Sequence, residues 1–348
     1  MTAERMDRIT LERTFQAVFY TLTLITLYYY LFTVHPWLLE LQGNIAYKPD
    51  IIFMQDDTYP FWYFTEFATI SDTPLGIKGP VAIGKLLLNS YILIFLFNAF
   101  LLYVTVTNFL KIVGRNNYLF KTLLIFQPFV IVQTFYINKE IYMLISGFLA
   151  CSYIIKKDLK LLILSMMFSL LTKVEYVAIL TAFILISNIN KSNFIILSLA
   201  KVFIIGILYK EIPGIESKAS VLIANTELEN FSLSRYFFDL SYNHSAFPLV
   251  VLPKVIHVYM HGIIQAIKFP YALVENVTNL SFSITCLVIG SVSVYWSFTH
   301  RHLPTTAYFI IIWSVIVATI PFNVPRYLFP IFPFLVSTYL LLKKTQPN

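Results

Sequence analysis

Charged side chains are scarce in this sequence: Asp, Glu, Lys and Arg together make up 12% of its 348 residues. Hydrophobic residues make up 58%, and the mean hydropathy is +0.73. A soluble globular domain typically carries about twice that share of charge. The composition therefore excludes an ordinary soluble domain and indicates a polytopic membrane protein.

The common catalytic and phosphate-binding motifs are also missing. The sequence contains no glycine-rich phosphate loop, no HExxH, no GxSxG and no paired CxxC. Its two cysteines, Cys151 and Cys286, lie in apolar segments without a His or Cys at metal-ligand spacing. We expect both to act as small hydrophobic side chains, and the motifs predict no metal site.

Long apolar runs are what the sequence has instead. Residues 14–34 are 21 positions without a charge, enough to cross about 30 Å of hydrocarbon. No small-x-small cleavage site follows, so we expect a retained first helix. Similar runs separated by short charged loops predict about ten transmembrane helices. They lie near 14–34, 86–110, 119–137, 141–155, 160–172, 175–188, 194–209, 281–298, 305–321 and 327–342.

The distribution of positive charge predicts the orientation of these helices. Ten spans place both termini on one side, where 14 of the 25 Lys and Arg residues but only four of the 18 acids fall. By the positive-inside rule this side is the cytoplasm, and the other face carries the remaining 11 basic and 14 acidic residues. The net charge of +7 then reflects membrane topology, so we set nucleic acid aside as a partner.

Two long loops, about 35–85 and 210–280, fall on the outer face in this topology. Residues 246–271 of the second loop are apolar but interrupted by Pro248, Pro253 and Pro270. We expect interfacial or re-entrant helices there, because proline ends helices and irregular backbone at membrane depth must be covered. No internal repeat or linker divides the chain. The fold prediction is therefore an all-α integral membrane protein with one domain over residues 1–348.

Three acids in the first outer loop stand out as candidate catalytic residues. The stretch "QDDTYPFWYFTEF", residues 55–67, places Asp56, Asp57 and Glu66 among aromatic rings. Solvated loop acids are the ordinary interpretation of such a group. The aromatic side chains favour a functional interpretation, because they would hold the carboxylates against the membrane surface.

Further charges lie at predicted outer helix ends. Lys139 and Glu140 occur in "INKEIY", and Lys173 and Glu175 occur in "LTKVEYV". An ionisable residue within hydrocarbon costs about 2.5–3.5 kcal/mol, so such groups normally face a partner, a cavity or water. Several at similar depth could line one cavity, although each pair could instead form a local ion pair or snorkel from a helix end.

Arg326, followed by Tyr327 in "NVPRYLFPIFP", is a candidate for binding phosphate. No Asp or Glu lies within twenty residues of it on either side. A guanidinium group is well suited to bidentate phosphate binding. A structural salt bridge to an acid from another segment is the alternative.

Two histidine arrangements give weaker signals. His257 and His261 are four residues apart, a spacing that could chelate a metal, but no acidic third ligand lies at helical spacing. We interpret them as interfacial histidines. His244 follows Asp239 by five residues, which is a weak indication of a membrane-bound acyltransferase.

Taken together, the segments "DDTYPFWYFTEF", "GIKGPVAIGKLL", "PFVIVQTFYINKEIYMLISGFL", "LLTKVEYVAI" and "VPRYLFPIFPFL" resemble those of a known class. The chain resembles GT-C-type bacterial membrane glycosyltransferases and Wzy-like polymerases of surface polysaccharides. The resemblance implies a GT-C-like fold in the bacterial cytoplasmic membrane. It also implies transfer at the outer face from a polyprenyl-(pyro)phosphate-linked sugar to a glycan acceptor, as in polymerisation of O-antigen or capsule repeat units.

The resemblance also implies roles for residues. The first-loop acid would be Asp56 or Asp57, with Glu66 nearby, and the doublet leaves open which of the two is essential. The residues implied at the substrate are Lys139, Glu140, Lys173, Arg326 and Tyr327. No cofactor is required; a divalent cation at the carboxylates and a chain-length regulator protein as partner stay open.

A flippase or transporter of lipid-linked oligosaccharide is the main alternative function. It would also need cations that bind phosphate. However, it should show repeat symmetry and charges near the midplane of the bilayer. The charges identified above gather at one face, which favours an enzyme.

Overall fold

The computed structural model describes residues 21, 69–71, 73, 78–114, 118–135, 138–172, 174–187, 189–211, 233–244, 246–268, 273–319 and 325–344. The helices in these ranges are α1 Lys78–Leu86, α2 Tyr91–Val113, α3 Tyr118–Ile125, α4 Pro128–Phe135, α5 Glu140–Lys156, α6 Leu159–Leu170, α7 Val174–Ile186, α8 Lys191–Ile207, α9 Leu233–Tyr242, α10 Phe247–Lys268, α11 Leu273–Thr299, α12 Thr306–Thr319 and α13 Phe332–Lys344. Short 3-10 helices span Tyr209–Glu211 and Pro325–Ile331, and these ranges contain no strand. The all-α prediction is confirmed for them.

Polar side chains begin helices α2 and α6, and a glycine ends α2. The Ser90 side chain accepts a hydrogen bond from the Leu93 amide at the start of α2, and Gly114 ends α2 in the left-handed conformation, with φ of 76°. Asp158 caps α6 by accepting from the amide of Lys160 at 3.0 Å. Helix α6 agrees closely with the predicted span at 160–172, whereas α2 begins at Tyr91, later than the predicted start at 86.

The predicted span at 119–137 is two short helices rather than one. The break lies between α3 and α4, at Phe126 and Gln127. Pro128 at the first position of α4 has no N–H to continue the preceding helix. The Gln127 Oε1 atom accepts a hydrogen bond of 2.9 Å from the amide of Val130 and so starts the new helix.

Residues 247–268 also differ from the prediction. They form one helix of 22 residues, α10, with Pro253 inside it, so the expectation that Pro253 interrupts this segment is wrong. At 1.5 Å per residue the helix is about 33 Å long. Proline is tolerated within apolar helices when the carbonyl group it leaves unpaired is satisfied elsewhere.

Three helices in the described part of the chain are long and apolar enough to cross a membrane: Ile92–Val113, Phe247–Ile264 and Thr278–Thr299. Four shorter apolar helices cover Leu159–Leu170, Tyr176–Ile186, Ser192–Ile207 and Thr306–Thr319. The predicted first span, 14–34, lies outside the described residues except for Thr21. The number of ten crossings therefore stays a prediction.

Helix α10 has an apolar exposed side and a polar buried side. Leu249 is 81% exposed and Ile267 is 76% exposed, whereas Lys254 and His257 are buried. A surface helix of a soluble protein shows the opposite pattern. This arrangement suits lipid outside and polar groups inside. Helix α2 also exposes an apolar side chain, Phe100, and buries a polar one, Asn98, although most of its buried residues are apolar.

The chain divides into two compact units, and the first comprises residues 1–178 and 266–282. Helix α5 is buried along its length from Glu140 to Ser152. The Phe148 ring packs at 5.0 Å from Phe109 of α2. On another side, the Ser146 hydroxyl donates to the Ser165 carbonyl oxygen of α6 at 2.8 Å, and the Ser165 hydroxyl donates back to the Ser146 carbonyl oxygen at 2.9 Å. These paired bonds fix α5 against α6.

The second unit comprises residues 179–265 and 283–348. Aromatic rings join its helices α7, α12 and α13: Phe309 stacks on Phe334 at 3.8 Å, and Phe183 meets both rings edge-on. Thr306 and Thr338 share a hydrogen bond of 2.8 Å between their hydroxyls, which joins α12 to α13 again. The prediction of one domain over the whole chain stays a prediction.

Helices α8 and α10 of the second unit approach each other closely at a glycine. A Cβ atom added to Gly206 would lie 2.7 Å from the Pro248 ring, closer than real Cβ contacts allow. Next to this contact, the Tyr209 ring stacks on Phe247 at 5.3 Å, and its hydroxyl donates to the Thr319 carbonyl oxygen at 2.9 Å. The absent side chain of Gly206 therefore sets the position of α10 relative to α8.

Candidate functional site

A group of buried polar residues lies in the first unit, where the end of α4 and the start of α5 meet α2. We name it the polar cluster. None of its side chains is more than 7% exposed. Its members are Asn98, Thr134, Asn138, Lys139, Glu140 and Tyr142. Such a concentration of polar groups among apolar helices requires internal partners or a ligand.

Asn98 connects three helices within the polar cluster. The Tyr142 hydroxyl of α5 donates a hydrogen bond to the Asn98 Oδ1 atom at 3.2 Å. The Asn98 Nδ2 atom in turn donates to the carbonyl oxygen of Thr134 in α4 at 3.2 Å. The side-chain amide of Asn98 on α2 therefore fixes both the end of α4 and the first turn of α5.

Asn138 positions the charged pair that follows it. Its Oδ1 atom accepts a hydrogen bond of 3.2 Å from the amide of Ile141, and its Nδ2 atom donates to the Gln133 Oε1 atom at 2.8 Å. The side chain of Lys139 makes no capping hydrogen bond. Asn138 therefore performs the capping role at this helix start.

Lys139 and Glu140 are both 7% exposed, which is unusual for charged residues. The two ion pairs within the described ranges join Lys156 to Asp158 and His244 to Asp239, so Glu140 has no salt bridge there. Glu140 lies in the first turn of α5, where the helix dipole favours a negative charge. A buried carboxylate next to a buried ammonium can bind a hydroxyl group and a phosphate group side by side.

The other predicted site residues are placed only in part. Asp56, Asp57, Glu66 and Lys173 lie outside the described residues. The backbone of Arg326 and Tyr327 lies in the 3-10 helix Pro325–Ile331 of the second unit, and their side chains are not among those described. The structure therefore brings Lys139 and Glu140 into one polar cluster, and the roles of the remaining six stay predictions.

Lys254 is a buried charged residue that the sequence analysis did not identify. It lies on α10, is fully buried, and its Nζ atom donates no hydrogen bond to any described residue. On insertion scales a lysine at the centre of a spanning helix costs about 2.5–3.5 kcal/mol. A sequence signal was available, because Lys254 is the single Asp, Glu, Lys or Arg residue in the apolar window 247–264.

His257 and His261 lie along the same helix as Lys254. Their ring centroids are 6.0 Å apart, and the His257 ring meets the edge of Phe237 at 6.1 Å. Among the residues with described positions, no group of three His, Cys, Asp or Glu side chains could hold a metal ion. The two histidines therefore belong to a buried aromatic contact between α9 and α10.

The acyltransferase candidate residues are close together but lie at the surface. The His244 Nε2 atom is 3.7 Å from the Asp239 Oδ2 atom, and the side chains are 64% and 51% exposed. The Asn243 Nδ2 atom also donates to the Asp239 Oδ1 atom at 2.6 Å. Solvent screens an exposed pair of this kind, and the geometry adds no activated nucleophile to it.

Comparison of the chain with protein-family models, with curated proteins and with solved structures gives no match. The function is therefore argued from the chemistry of the residues and from the resemblance of their sequence segments. The structural observations that bear on it are the polar cluster and the apolar exposed sides of α2 and α10.

Proposed function

We propose that this protein is a membrane glycosyltransferase that acts on polyprenyl-(pyro)phosphate-linked sugars at the outer face of the bacterial cytoplasmic membrane. The observation that carries the proposal is the polar cluster, in which Lys139 and Glu140 are buried between helices with apolar exposed sides. The sequence resemblance to GT-C-type and Wzy-like enzymes supports the choice of reaction. It also favours polymerisation of O-antigen or capsule repeat units.

The reaction explains why both signs of charge are needed. The acceptor hydroxyl oxygen bonds to the anomeric carbon of the donor sugar while the bond from that carbon to the phosphate oxygen breaks. The proton of the hydroxyl passes to a carboxylate, for which Asp56 or Asp57 is the candidate. The departing phosphate gains negative charge, which a cation such as Lys139 would stabilise.

Glu140 and its neighbours would position the substrates in this scheme. The carboxylate of Glu140 can accept a hydrogen bond from a sugar hydroxyl, and the adjacent Lys139 can hold phosphate. Tyr142 and Asn98 are hydrogen-bonded to each other, so they would keep α5 fixed while substrates exchange. A fixed arrangement of this kind lowers the barrier by holding the reacting groups in place.

Transport of a lipid-linked oligosaccharide is the second candidate function, and Lys254 is the observation that favours it. Lys254 is the eighth of the 22 residues of α10, so it lies about 10 Å along the helix axis from the start. A cation at that depth is expected along a transport path for a phosphate-linked lipid. The transferase proposal predicts a new glycosidic bond, whereas transport predicts movement without one.

An assay in proteoliposomes tests the proposal and separates the two functions. The full chain is given a radiolabelled polyprenyl-pyrophosphate glycan, and the product is analysed by chromatography. We expect the transfer rate of the double variant Asp56→Asn with Asp57→Asn to fall about 10²–10⁴-fold, because the proton acceptor is removed. Glu66→Gln should lose less, and Glu211→Gln, at an exposed acid, is the matched control.

Two outcomes would contradict the transferase. Wild-type transfer by the double asparagine variant would exclude Asp56 and Asp57 as proton acceptors. Movement of the labelled lipid across the bilayer with no new glycosidic bond would favour the transporter.

A further inference from the structure

Lys254 lies on α10 in the second unit and has no role in the proposed transfer reaction. Its side chain is fully buried, and its ammonium group makes no hydrogen bond to the described part of the chain. Buried lysines are normally paired with an anion.

No acid in the described part of the second unit supplies the anion. Residues 176–210, 240–274 and 276–348 contain no Asp or Glu. The acids of the second unit are Glu211, Glu216, Glu227, Glu229 and Asp239. Of these, Glu211 and Asp239 are described, and both are exposed. Asp239 already contacts Asn243 and His244, so neither described acid serves as the counter-ion of Lys254.

The surroundings of Lys254 fit an anionic group better than an apolar one. One turn further along the same side of α10 lies His257, which is 7% exposed, and His261 follows one turn later. Imidazole N–H groups donate hydrogen bonds and so can share an anion with an ammonium. The opposite side of the helix is apolar, with Leu252 at 65% and Ile256 at 50% exposure.

We propose that Lys254 anchors an anion-binding site on the buried side of α10, where its ammonium binds a phosphate group with His257 as a neighbouring donor. The phosphate comes from a lipid headgroup or from free phosphate, and these sources share the chemistry that Lys254 recognises. Phosphate is the anionic group that a membrane presents in quantity, and lysine binds it as a point charge. The site is independent of the proposed transfer reaction.

Binding measurements on the purified full chain in a neutral detergent test the site. The probes are decyl phosphate, inorganic phosphate and decanol, and the readouts are the dissociation constant and the shift in Tm. We expect decyl phosphate to bind saturably to the wild type. Lys254→Met should weaken that binding roughly tenfold or more, because a charge-assisted hydrogen bond is lost. Lys254→Arg should retain binding of decyl phosphate. Any binding of decanol, which has no phosphate, should be the same in the wild type and in the Lys254 variants.

Lys156→Met is the matched control, because the Lys156 side chain is 60% exposed and lies in the first unit. It should bind decyl phosphate as the wild type does. Inorganic phosphate that binds with the same dependence on Lys254 supports the site and assigns free phosphate as its source. Binding of decyl phosphate alone supports the site and assigns a lipid headgroup.

Two results would overturn the site. One is wild-type affinity for decyl phosphate in Lys254→Met. The other is a fall in the Tm of ligand-free Lys254→Met, because removal of an uncompensated buried charge should leave the Tm unchanged or raise it. Such a fall would show that an acid of the chain is the partner of Lys254. Lys254→Gln, which keeps a donor but no charge, is measured beside Lys254→Met and should also lose binding without a fall in Tm.

Discussion

Tyr142 and Asn98 are joined by a hydrogen bond of 3.2 Å from the tyrosine hydroxyl to the asparagine Oδ1 atom, and both side chains are almost fully buried. The bond connects α5 to α2 at the polar cluster. A net contribution of about 1 kcal/mol is typical for such a bond. We expect Tyr142→Phe to lower the free energy of unfolding by about that amount, measured by reversible denaturation in detergent.

Asn98→Leu should cost more than Tyr142→Phe, because the asparagine also donates to the Thr134 carbonyl oxygen. The expected loss is about 1–3 kcal/mol, the cost of leaving buried polar groups without their partners. Tyr103→Phe is the control, since the Tyr103 side chain is half exposed and its hydroxyl accepts a hydrogen bond from Lys121. Equal stability of all three variants would contradict the structural role of Asn98.

Gly206→Ala should destabilise the second unit. The new methyl group would lie 2.7 Å from Pro248 Cδ and 2.8 Å from Pro248 Cγ, and a proline ring has little freedom to move. Overpacking of this kind typically costs about 1–3 kcal/mol. Gly290→Ala is the matched control, because its nearest atom would be Leu335 Cδ2 at 3.8 Å. Thermal unfolding of both variants measures the difference, and equal Tm values would show that α8 and α10 are not in close contact.

Cysteine labelling in intact cells checks the membrane topology. Cys151 and Cys286 are buried, so they give little background. We expect Ser71→Cys to react with an impermeant maleimide from outside, and His302→Cys to react only after the membrane is opened. Both residues are exposed. Labelling of His302→Cys from outside would show that α10 makes an additional complete crossing, which would place Arg326 in the cytoplasm and contradict the proposed mechanism.

Arg326 should respond to substitution as a phosphate ligand. We expect Arg326→Ala to fold but lose activity, and Arg326→Lys to fold with weakened donor affinity, because lysine keeps the charge but not the bidentate geometry. A structural salt bridge predicts instead that Arg326→Ala loses roughly 3–5 kcal/mol of stability. Thermal stability and donor binding, measured on both variants, separate these cases. A stable and active alanine variant would contradict both.

Local sequence signals were sufficient for much of the fold. Helix α5 was predicted at 141–155 and observed at Glu140–Lys156, because charged residues flank a continuous apolar run. For α10, only the break expected at Pro253 is wrong, because the apolar length around the proline outweighs its local effect. An interfacial or re-entrant position of this helix stays a prediction. A lipid-facing helix retains its remaining backbone hydrogen bonds even where one proline removes a donor.

Only the charged residues of the candidate site could be predicted from the sequence. Lys139 and Glu140 were identified because adjacent charges are rare in an apolar chain. Asn98 and Tyr142 gave no such signal, since uncharged polar residues are common in apolar helices and their contacts span 44 positions of sequence. Lys254 could have been identified by the same reasoning as Lys139, but it was read as part of an interfacial segment.

The complete burial of α5 limits which amino-acid substitutions this helix can accept in evolution. From Glu140 to Ser152 every side chain contacts protein, so no side of this helix is free to vary. On α10, by contrast, Leu249, Leu252 and Ile256 are exposed and can exchange with any apolar residue. Substitution tolerance should therefore rise and fall with the helical period along α10 but stay uniformly low along α5. Divergent copies of this chain would align most reliably through the segment that contains Lys139 and Glu140.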